Sequence, residues 1–315
     1  MNKSIRFFVL HNPLLCEIFF LLRGKKVYRK KIDRKIKKLS FEKYEKKEHL
    51  TDVIISLTTY GERLYELQYT LYSLIDQTVK PEMIIVNLAK KDFENIPENL
   101  RIFENYGVVF KVTEDFRSYK KLIPTLIAYP NKYIITSDDD IYYPRKWLET
   151  LWAGHLEEPD CIVCHLTQKI EYDNKHILPY SFWKYNSKET PPVFNNSILG
   201  VGGTVFPPTL LYSDITNSEL FMKLSPFADD LWFYFMAILK GTRIKQLPKP
   251  FINVRYVNPY REYGLVRGET LTQINVGQDR NDVQFRAIMN HYGINEQEFI
   301  QFLQSKKDLD FIKNN

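Results

Sequence analysis

At 315 residues the chain is long enough for one large or two fused α/β domains with a proper core, and its 44% apolar and 26% charged residues are those of an ordinary soluble globule. The formal charge of +6 is unevenly spread, because ten Lys or Arg against the single Asp33 lie between Arg23 and Lys38, leaving −4 for everything after Leu39. A slightly acidic body argues against nucleic-acid binding, which calls for a basic face.

The N-terminus reads as a separate device. Phe7 to Leu22 is mostly apolar, yet its 16 residues span only about 24 Å as a helix, short of the roughly 30 Å hydrocarbon core. His11, Asn12, Pro13 and Glu17 interrupt it, and no small-residue cleavage site follows, against a secretory signal peptide. The basic run that comes next gains roughly 1 kcal/mol per residue near an anionic leaflet. Residues 1–50 therefore read as a monotopic foot on an anionic membrane surface, the other reading being a helix packed on the body with a solvated basic linker. If the segment spanned, the positive-inside rule would still leave the body cytoplasmic, at the inner face of the membrane.

The body begins near Thr51. Val53 to Leu57 reads as a buried strand, Glu66 to Gln77 as a helix with Leu67, Leu71, Leu74 and Ile75 on its apolar face, and Met83 to Val86 as a second strand entered from Pro81. Gly107 to Val112 is a third strand, followed by a helix around Lys120 to Ala128 and a strand over Lys132 to Ser137. This β-α-β alternation predicts a mostly parallel sheet. No Gly-x-Gly-x-x-Gly follows the first strand and no Walker sequence occurs, so the dinucleotide and P-loop readings lack support. Three cysteines fit a reducing compartment. Cys161-Ile-Val-Cys164-His165 has the form of a haem attachment, but no second Cys pair exists and the segment reads as a short buried strand with small apolar packing.

The most informative residues are Asp138, Asp139 and Asp140, which an apolar strand delivers into a turn before Ile141-Tyr142-Tyr143-Pro144 and a helix over Trp147 to Trp152. A helix cap needs one carboxylate. Three in a row raise a repulsion that a divalent cation relieves, and strand ends are where open α/β sheets collect ligands. A glycine cluster, Gly200-Val201-Gly202-Gly203, suits a loop folded against a ligand or a tight turn before the strand Thr204 to Phe206. Asp229-Asp230 then opens an apolar helix, Leu231 to Leu239. The second Asp is one more than capping requires and suits a general base.

In this order the residues resemble the GT-A glycosyltransferases, and more narrowly bacterial enzymes of surface-polysaccharide synthesis, through Ser118-Tyr-Lys-Lys-Leu-Ile-Pro124, Gly202-Gly203 before Pro207-Pro208, and Ala228-Asp-Asp-Leu-Trp232. The resemblance covers roughly Thr51 to Tyr292. It implies a Rossmann-like, mostly parallel sheet flanked by helices, with a nucleotide-sugar-binding half over 51–145, an acceptor-binding half over 146–300 and a tail over 301–315. It implies that Thr58, Thr59, Tyr60 and Arg63 hold the nucleotide with Lys121, Asp138 and Asp139, and that Asp138 and Asp140 hold Mn²⁺ or Mg²⁺ on the donor diphosphate. Asp230, or Asp229, would be the base of an inverting transfer to a glycan or lipid-linked acceptor, met by Gly202, Gly203 and Trp232, with Trp183 and Tyr185 as further stacking candidates. Two places depart from the family pattern. Asn87 stands near where an acidic residue usually reads the base, Asp92 lying further on, and the late metal ligand has no clear counterpart among Asn275, Asp279, Asn281, Asp282 and His291. A haloacid-type phosphohydrolase is disfavoured by Ile141 and Tyr142 after the triplet, whereas a non-catalytic nucleotide-sugar-binding scaffold differs only in lacking a base.

Overall fold

The computed structural model describes residues 12–22, 27–186, 188–248, 254–258, 260 and 279–304. Among the described residues ten strands run in chain order: β1 Glu48–Thr58, β2 Val79–Ala89, β3 Val108–Thr113, β4 Tyr133–Thr136, β5 Cys161–Cys164, β6 Thr167–Lys169, β7 Lys184–Tyr185, β8 Asn196–Ile198, β9 Thr204–Phe206 and β10 Arg243–Gln246. Seven of them form one sheet in the order β10-β5-β9-β4-β1-β2-β3, all parallel to their neighbours except β9, and β7-β6-β8 form a small antiparallel sheet. In β1, β2 and β4 of the large sheet, buried runs rich in Val, Ile and Leu show almost no alternation, as covering on both faces requires. Helices provide that cover. The helices used below are α1 Pro13–Leu22, α2 Arg29–Ile36, α3 Phe41–Glu45, α4 Leu67–Ile75, α5 Lys90–Phe93, α6 Ile123–Ala128, α7 Trp147–Glu157, α8 Ser218–Leu224, α9 Asp229–Leu239 and α10 Arg280–His291.

Strand order decides where a ligand can sit. From β1 the chain moves outward to β2 and β3, then returns to the other side of β1 as β4, so the connections diverge above the carboxyl ends of β1 and β4. A crevice at such a reversal is the usual ligand position of an open α/β sheet. Thr58 ends β1 there, and Asp138 to Asp140 follow β4. Strand β9 runs the other way, with Thr204 opposite both Thr136 and Cys164, so the glycine loop before it enters at the edge where the aspartates leave.

Local departures from the expected elements have identifiable causes. The single helix expected over Lys120 to Ala128 is split into a 3-10 turn, Arg117–Lys121, and α6, because Pro124 lacks an N–H and is tolerated only in a first helical turn. Strand β2 begins at Val79 and takes in Pro81, which pairs with Leu50 beside a register shift, a place where the missing donor does little harm. The body likewise begins before Thr51: β1 starts at Glu48, and Ile32, Ile36 and Tyr44 belong to the same buried cluster as Val53 and Leu71. Arg29 pairs with Glu66 at 2.8 Å and donates to the Val257 carbonyl, tying α2 to the body. In α1, Cys16 and Phe20 are buried while Ile18 is exposed, and Phe20 meets the Tyr260 ring edge-on. Among the described residues no helix is long and apolar enough to cross a membrane.

The glycine loop is clamped from below by α7. Trp147, fully buried, donates its Nε1 hydrogen to the Gly202 carbonyl at 2.7 Å, and a Cβ on Gly203 would lie 2.5 Å from the Trp147 ring. Gly203 also has φ +93°, in the region that side chains avoid. Gly203→Ala should therefore destabilise by about 2–4 kcal/mol, overpacking added to backbone strain. Gly241 is the control, with φ +82° and open space around a Cβ, so Gly241→Ala should lose only about 1–2 kcal/mol from strain alone. Denaturant midpoints of the two variants separate the contributions, and equal losses would mean that the Trp147 contact is slack.

Candidate active site

Among the described residues five carboxylates and two cations line the crevice, and the cations divide the carboxylates between them. Arg63, on the turn after β1, donates from Nη1 to Asp139 at 2.8 Å and from Nη2 to Asp140. Its position is reinforced by the Tyr60 ring, 5.4 Å from the guanidinium. Lys121, at the end of the 3-10 turn, lies 2.8 Å from Asp229, 3.1 Å from Asp230 and 3.5 Å from Asp138. Both pKa values rise. Burial opposes the charge on Arg63, but Asp139 and Asp140 outweigh it; burial opposes Lys121 likewise, and Asp229, Asp230 and Asp138 hold it well above the ordinary lysine value.

Several elements converge to build this cluster. Tyr119 anchors the 3-10 turn, stacking on Phe221 of α8 at 4.0 Å and donating to the Ser225 carbonyl, which aims the next residues at the crevice. Ser118 donates to Asp229 at 2.9 Å. The aspartate turn is stapled to the glycine loop by Tyr143, whose hydroxyl accepts from the Asp138 N–H at 2.8 Å and donates to the Val201 carbonyl. Thr70 of α4 donates to the Asp139 carbonyl. Asp229 and Asp230 open α9, where the helix dipole favours their charge.

The two members of the acidic pair differ. Asp229 is buried and held by Ser118 and Lys121, whereas the Asp230 side chain stays 29% exposed and accepts from the Gly200 N–H at 2.8 Å. Partial burial pushes the Asp230 carboxyl up to about 6; Lys121 and the Gly200 N–H pull it down, while Asp229 and Asp138 push it up. Among the described residues, with every group ionised, the five carboxylates outnumber the two cations by three, and the charges of Asp229 and Asp138 add to the burial that raises Asp230. A Cβ at Gly200 would lie 2.6 Å from Lys121 Nζ and 2.7 Å from Asp230 Oδ1, so a side chain there would displace one of the two from its present contact.

Of the residues expected from sequence, Thr58, Thr59, Tyr60, Arg63, Lys121, Asp138, Asp139, Asp140, Asp229 and Asp230 gather at this crevice. Thr58 donates to the Asn87 carbonyl, and Tyr60 is 54% exposed beside it. The acceptor residues are corrected. Trp232 is fully buried and donates to the Ile215 carbonyl, and Gly202 and Gly203 pack on Leu166 and Trp147, so the glycine at the acidic pair is Gly200. Trp183 is core, packed against Phe285, whereas Tyr185 is 65% exposed. Asn87 donates to Ser56 and Thr125 in a buried network and is spent there, while Asp92 of α5 comes back to accept from the Gly61 N–H at 2.8 Å beside Tyr60. Burial pushes the Cys161 thiol up to about 11 and the Cys164 thiol up to about 12, which leaves both unreactive.

Sequence reasoning missed Ser118 and Tyr143, which act through hydrogen bonds that no local pattern announces, and Tyr180. The Tyr180 phenol is raised first by burial and then by the nearby Asp230 charge, and its N–H donates to Asp282 at the start of α10. Among the late candidates, Asp282 is thus engaged, Asn281 is buried and His291 is exposed at the far end of α10. Asn275 lies outside the described residues. Thr59 Oγ1 and Ser137 Oγ, just past the ends of β1 and β4, are buried without a hydrogen-bond partner among the described residues, as expected where a polar ligand completes the set.

The charge surplus calls for a cation, but the placement does not coordinate one. Asp140 is committed to Arg63, the point on which Asp138, Asp229 and Asp230 converge is filled by the Lys121 ammonium, and among the described residues no group of three His, Cys, Asp or Glu is arranged to hold a metal ion. The described side chains thus do not fit a preformed Mn²⁺ or Mg²⁺ site. Arg63 is the competitor. Removing it in Arg63→Ala should tighten Mn²⁺ binding by about tenfold or more, equivalent to roughly 1.4 kcal/mol of lost competing charge. Calorimetric titration with Mn²⁺ alone checks this, and unchanged affinity would show that Arg63 and the cation do not share the carboxylates.

No family model matches the chain, and no curated protein matches it. Solved structures similar to it include CMP:2-keto-3-deoxy-manno-octonic acid synthetase complexed with CTP, at 12% identity over 64% of this chain and 89% of that one, with a TM-score of 0.38. S. aureus TarS 1–349 in complex with UDP is similar at 15% identity over 77% of this chain and 72% of that one, with a TM-score of 0.43. The same protein in complex with UDP-GlcNAc gives 16% identity over 67% and 57%, with a TM-score of 0.42. Likenesses this remote carry no functional weight.

Proposed function

We propose that the chain is a nucleotide-sugar-dependent glycosyltransferase with Asp230 as its general base. The observation that supports this is the contrast within the acidic pair: Asp229 is locked by Ser118 and Lys121, while Asp230 is reachable, raised to about 6 and aimed by the Gly200 N–H and the Lys121 ammonium. A carboxylate fixed on two sides and poised near neutral pH is what proton abstraction from a hydroxyl requires. A helix cap needs none of these features.

In this reading the nucleotide lies over the ends of β1 and β4, where the exposed Tyr60 ring offers a stacking face and Thr59 and Ser137 offer unmatched hydroxyls. The donor sugar lies between the aspartate turn and the Gly200 loop. An acceptor hydroxyl attacks the anomeric carbon as its proton passes to Asp230; the bond from that carbon to the diphosphate oxygen breaks, and the nucleoside diphosphate departs with the electron pair. Attack from the side opposite the leaving group inverts the configuration. Lys121 keeps Asp230 from rising further and holds Asp138 and Asp229 beside it.

Asp230→Asn should slow nucleoside diphosphate release by on the order of 10² to 10⁴ while donor affinity changes little, because the base acts on the acceptor. Screening a panel of nucleotide sugars with wild type and variant, by product release and by calorimetry, decides it. Loss of no more than a few fold would make the pair structural and the chain at most a binder of nucleotide sugars.

The pH dependence follows from the same carboxyl. Only ionised Asp230 accepts a proton, so the rate should climb with pH through about 6 and level off above it. For folding the sign is opposite: the raised carboxyl binds more protons folded than unfolded, so its contribution to stability is present at low pH and falls as pH rises from the ordinary Asp value to about 6. Lys121→Met should move the acid limb of the rate profile upward by removing the attraction that lowers Asp230. A limb that stays in place in Lys121→Met would disqualify Asp230 as the titrating base.

A further inference from the structure

A second concavity lies at the opposite end of the same sheet. Lys47 precedes β1, Asp76 to Thr78 precede β2 and Tyr106 precedes β3; with the end of α2 and the start of α3 they enclose a cavity of about 480 Å³. Its charged lining is one-sided: Lys35, Lys38, Lys43, Lys47 and Arg145 face the single acid Asp76. The acids nearest in sequence are spent elsewhere, Glu42 on Lys46 and Glu45 on Lys80. Tyr44, Tyr72 and Tyr106 form buried walls, and low-dielectric walls concentrate the field of a one-sign cluster.

The cations are also positioned. Lys47 donates to the Ile75 carbonyl at the end of α4, and Lys35 lies over the Tyr72 ring at 5.7 Å. Burial lowers the Lys47 pKa, Asp76 raises it and Arg145 lowers it again, so the positive groups act on one another across the cavity. Around it, α2 exposes Lys30, Lys31 and Arg34, while Tyr28 and Phe41, at the starts of α2 and α3, are each 54% exposed. Basic residues with exposed aromatic rings are the composition of a surface that rests in the head-group region of a bilayer.

We propose that this cavity binds the phosphate head group of an anionic lipid and docks the chain on a membrane by the amino ends of β1 to β3. The phosphate is indicated by the excess of five cations over one acid, which persists although Asp76 pairs with Arg145 at 3.6 Å, and the lipid source by the exposed rings and basic surround, which a free phosphate would not engage. The assignment stands whether or not the crevice at the other end transfers a sugar.

Flotation of the full chain with phosphatidylcholine vesicles, with and without phosphatidylglycerol, tests it against two double variants of equal charge loss. Wild type should float with the anionic vesicles only. Lys35→Ala with Lys43→Ala should weaken binding by more than about 100-fold, from the loss of two direct charge-assisted contacts of about 1.5–3 kcal/mol each, while Lys30→Ala with Lys31→Ala, outside the cavity, should weaken it by about 30-fold or less, from roughly 1 kcal/mol per cation near the surface. Equal losses from the two pairs would overturn the cavity in favour of diffuse attraction. Calorimetric binding of inorganic pyrophosphate, with no flotation of wild type on anionic vesicles, would overturn the lipid as the source.

Discussion

A buried ammonium surrounded by three carboxylates is the constraint on which the crevice depends. Burying Lys121 unpaired would cost several kcal/mol, and burying Asp229 unpaired would cost as much, so each makes the other tolerable. The contact joins parts far apart in the chain: the 3-10 turn before α6, the aspartates after β4 and the start of α9. One cation serving three anions leaves a deficit, and at Asp230 burial, joined by the charges of Asp229 and Asp138, outweighs the pull of Lys121. Asp230 is therefore distinguished from Asp229 by position alone, since both are the same residue type at adjacent places on one helix.

The framework was legible in the sequence because its signals are local and redundant. Runs such as Val53-Ile-Ile-Ser-Leu57 and Ile134-Ile135 have few alternatives to a covered strand, and the three aspartates after the second mark where that strand gives way to a turn. What escaped depends on partners distant in sequence. Arg63 is expected from the resemblance to hold the nucleotide, and nothing in the sequence near it announces that the fold brings Asp139 and Asp140 within its reach. Trp232 follows the acidic pair and looks positioned for a sugar, but the helical turn carries its ring into the core, beside Phe221. The glycine cluster was recognised as a loop, whereas which glycine meets the acids depends on a 3-10 turn that points Gly200 at Asp230 and Gly203 at Trp147.

The basic run of the N-terminus was legible as charge and not as place. Its regular spacing puts Ile32 and Ile36 on one face of α2, which packs inward and turns the lysines toward solvent and toward the space before the strands. Nothing in the run foretells Asp76, Arg145 or Tyr106 as neighbours, since they come from three other connections.

Parallel strands give a sheet two unlike ends, and this chain has charged them oppositely. The carboxyl ends of β1 and β4 meet five aspartates against two cations, and the amino ends of β1 to β3 meet five cations against one aspartate. With β1 running 11 residues at about 3.3 Å each, the two ends are separated by on the order of 30 Å, several screening lengths at physiological salt. Each end therefore acts on its surroundings almost independently. An anionic surface attracts one and repels the other, so the same charge pattern that would bring the molecule to such a surface also orients it, with the crevice outward and open to an acceptor that extends from the membrane or diffuses in solution.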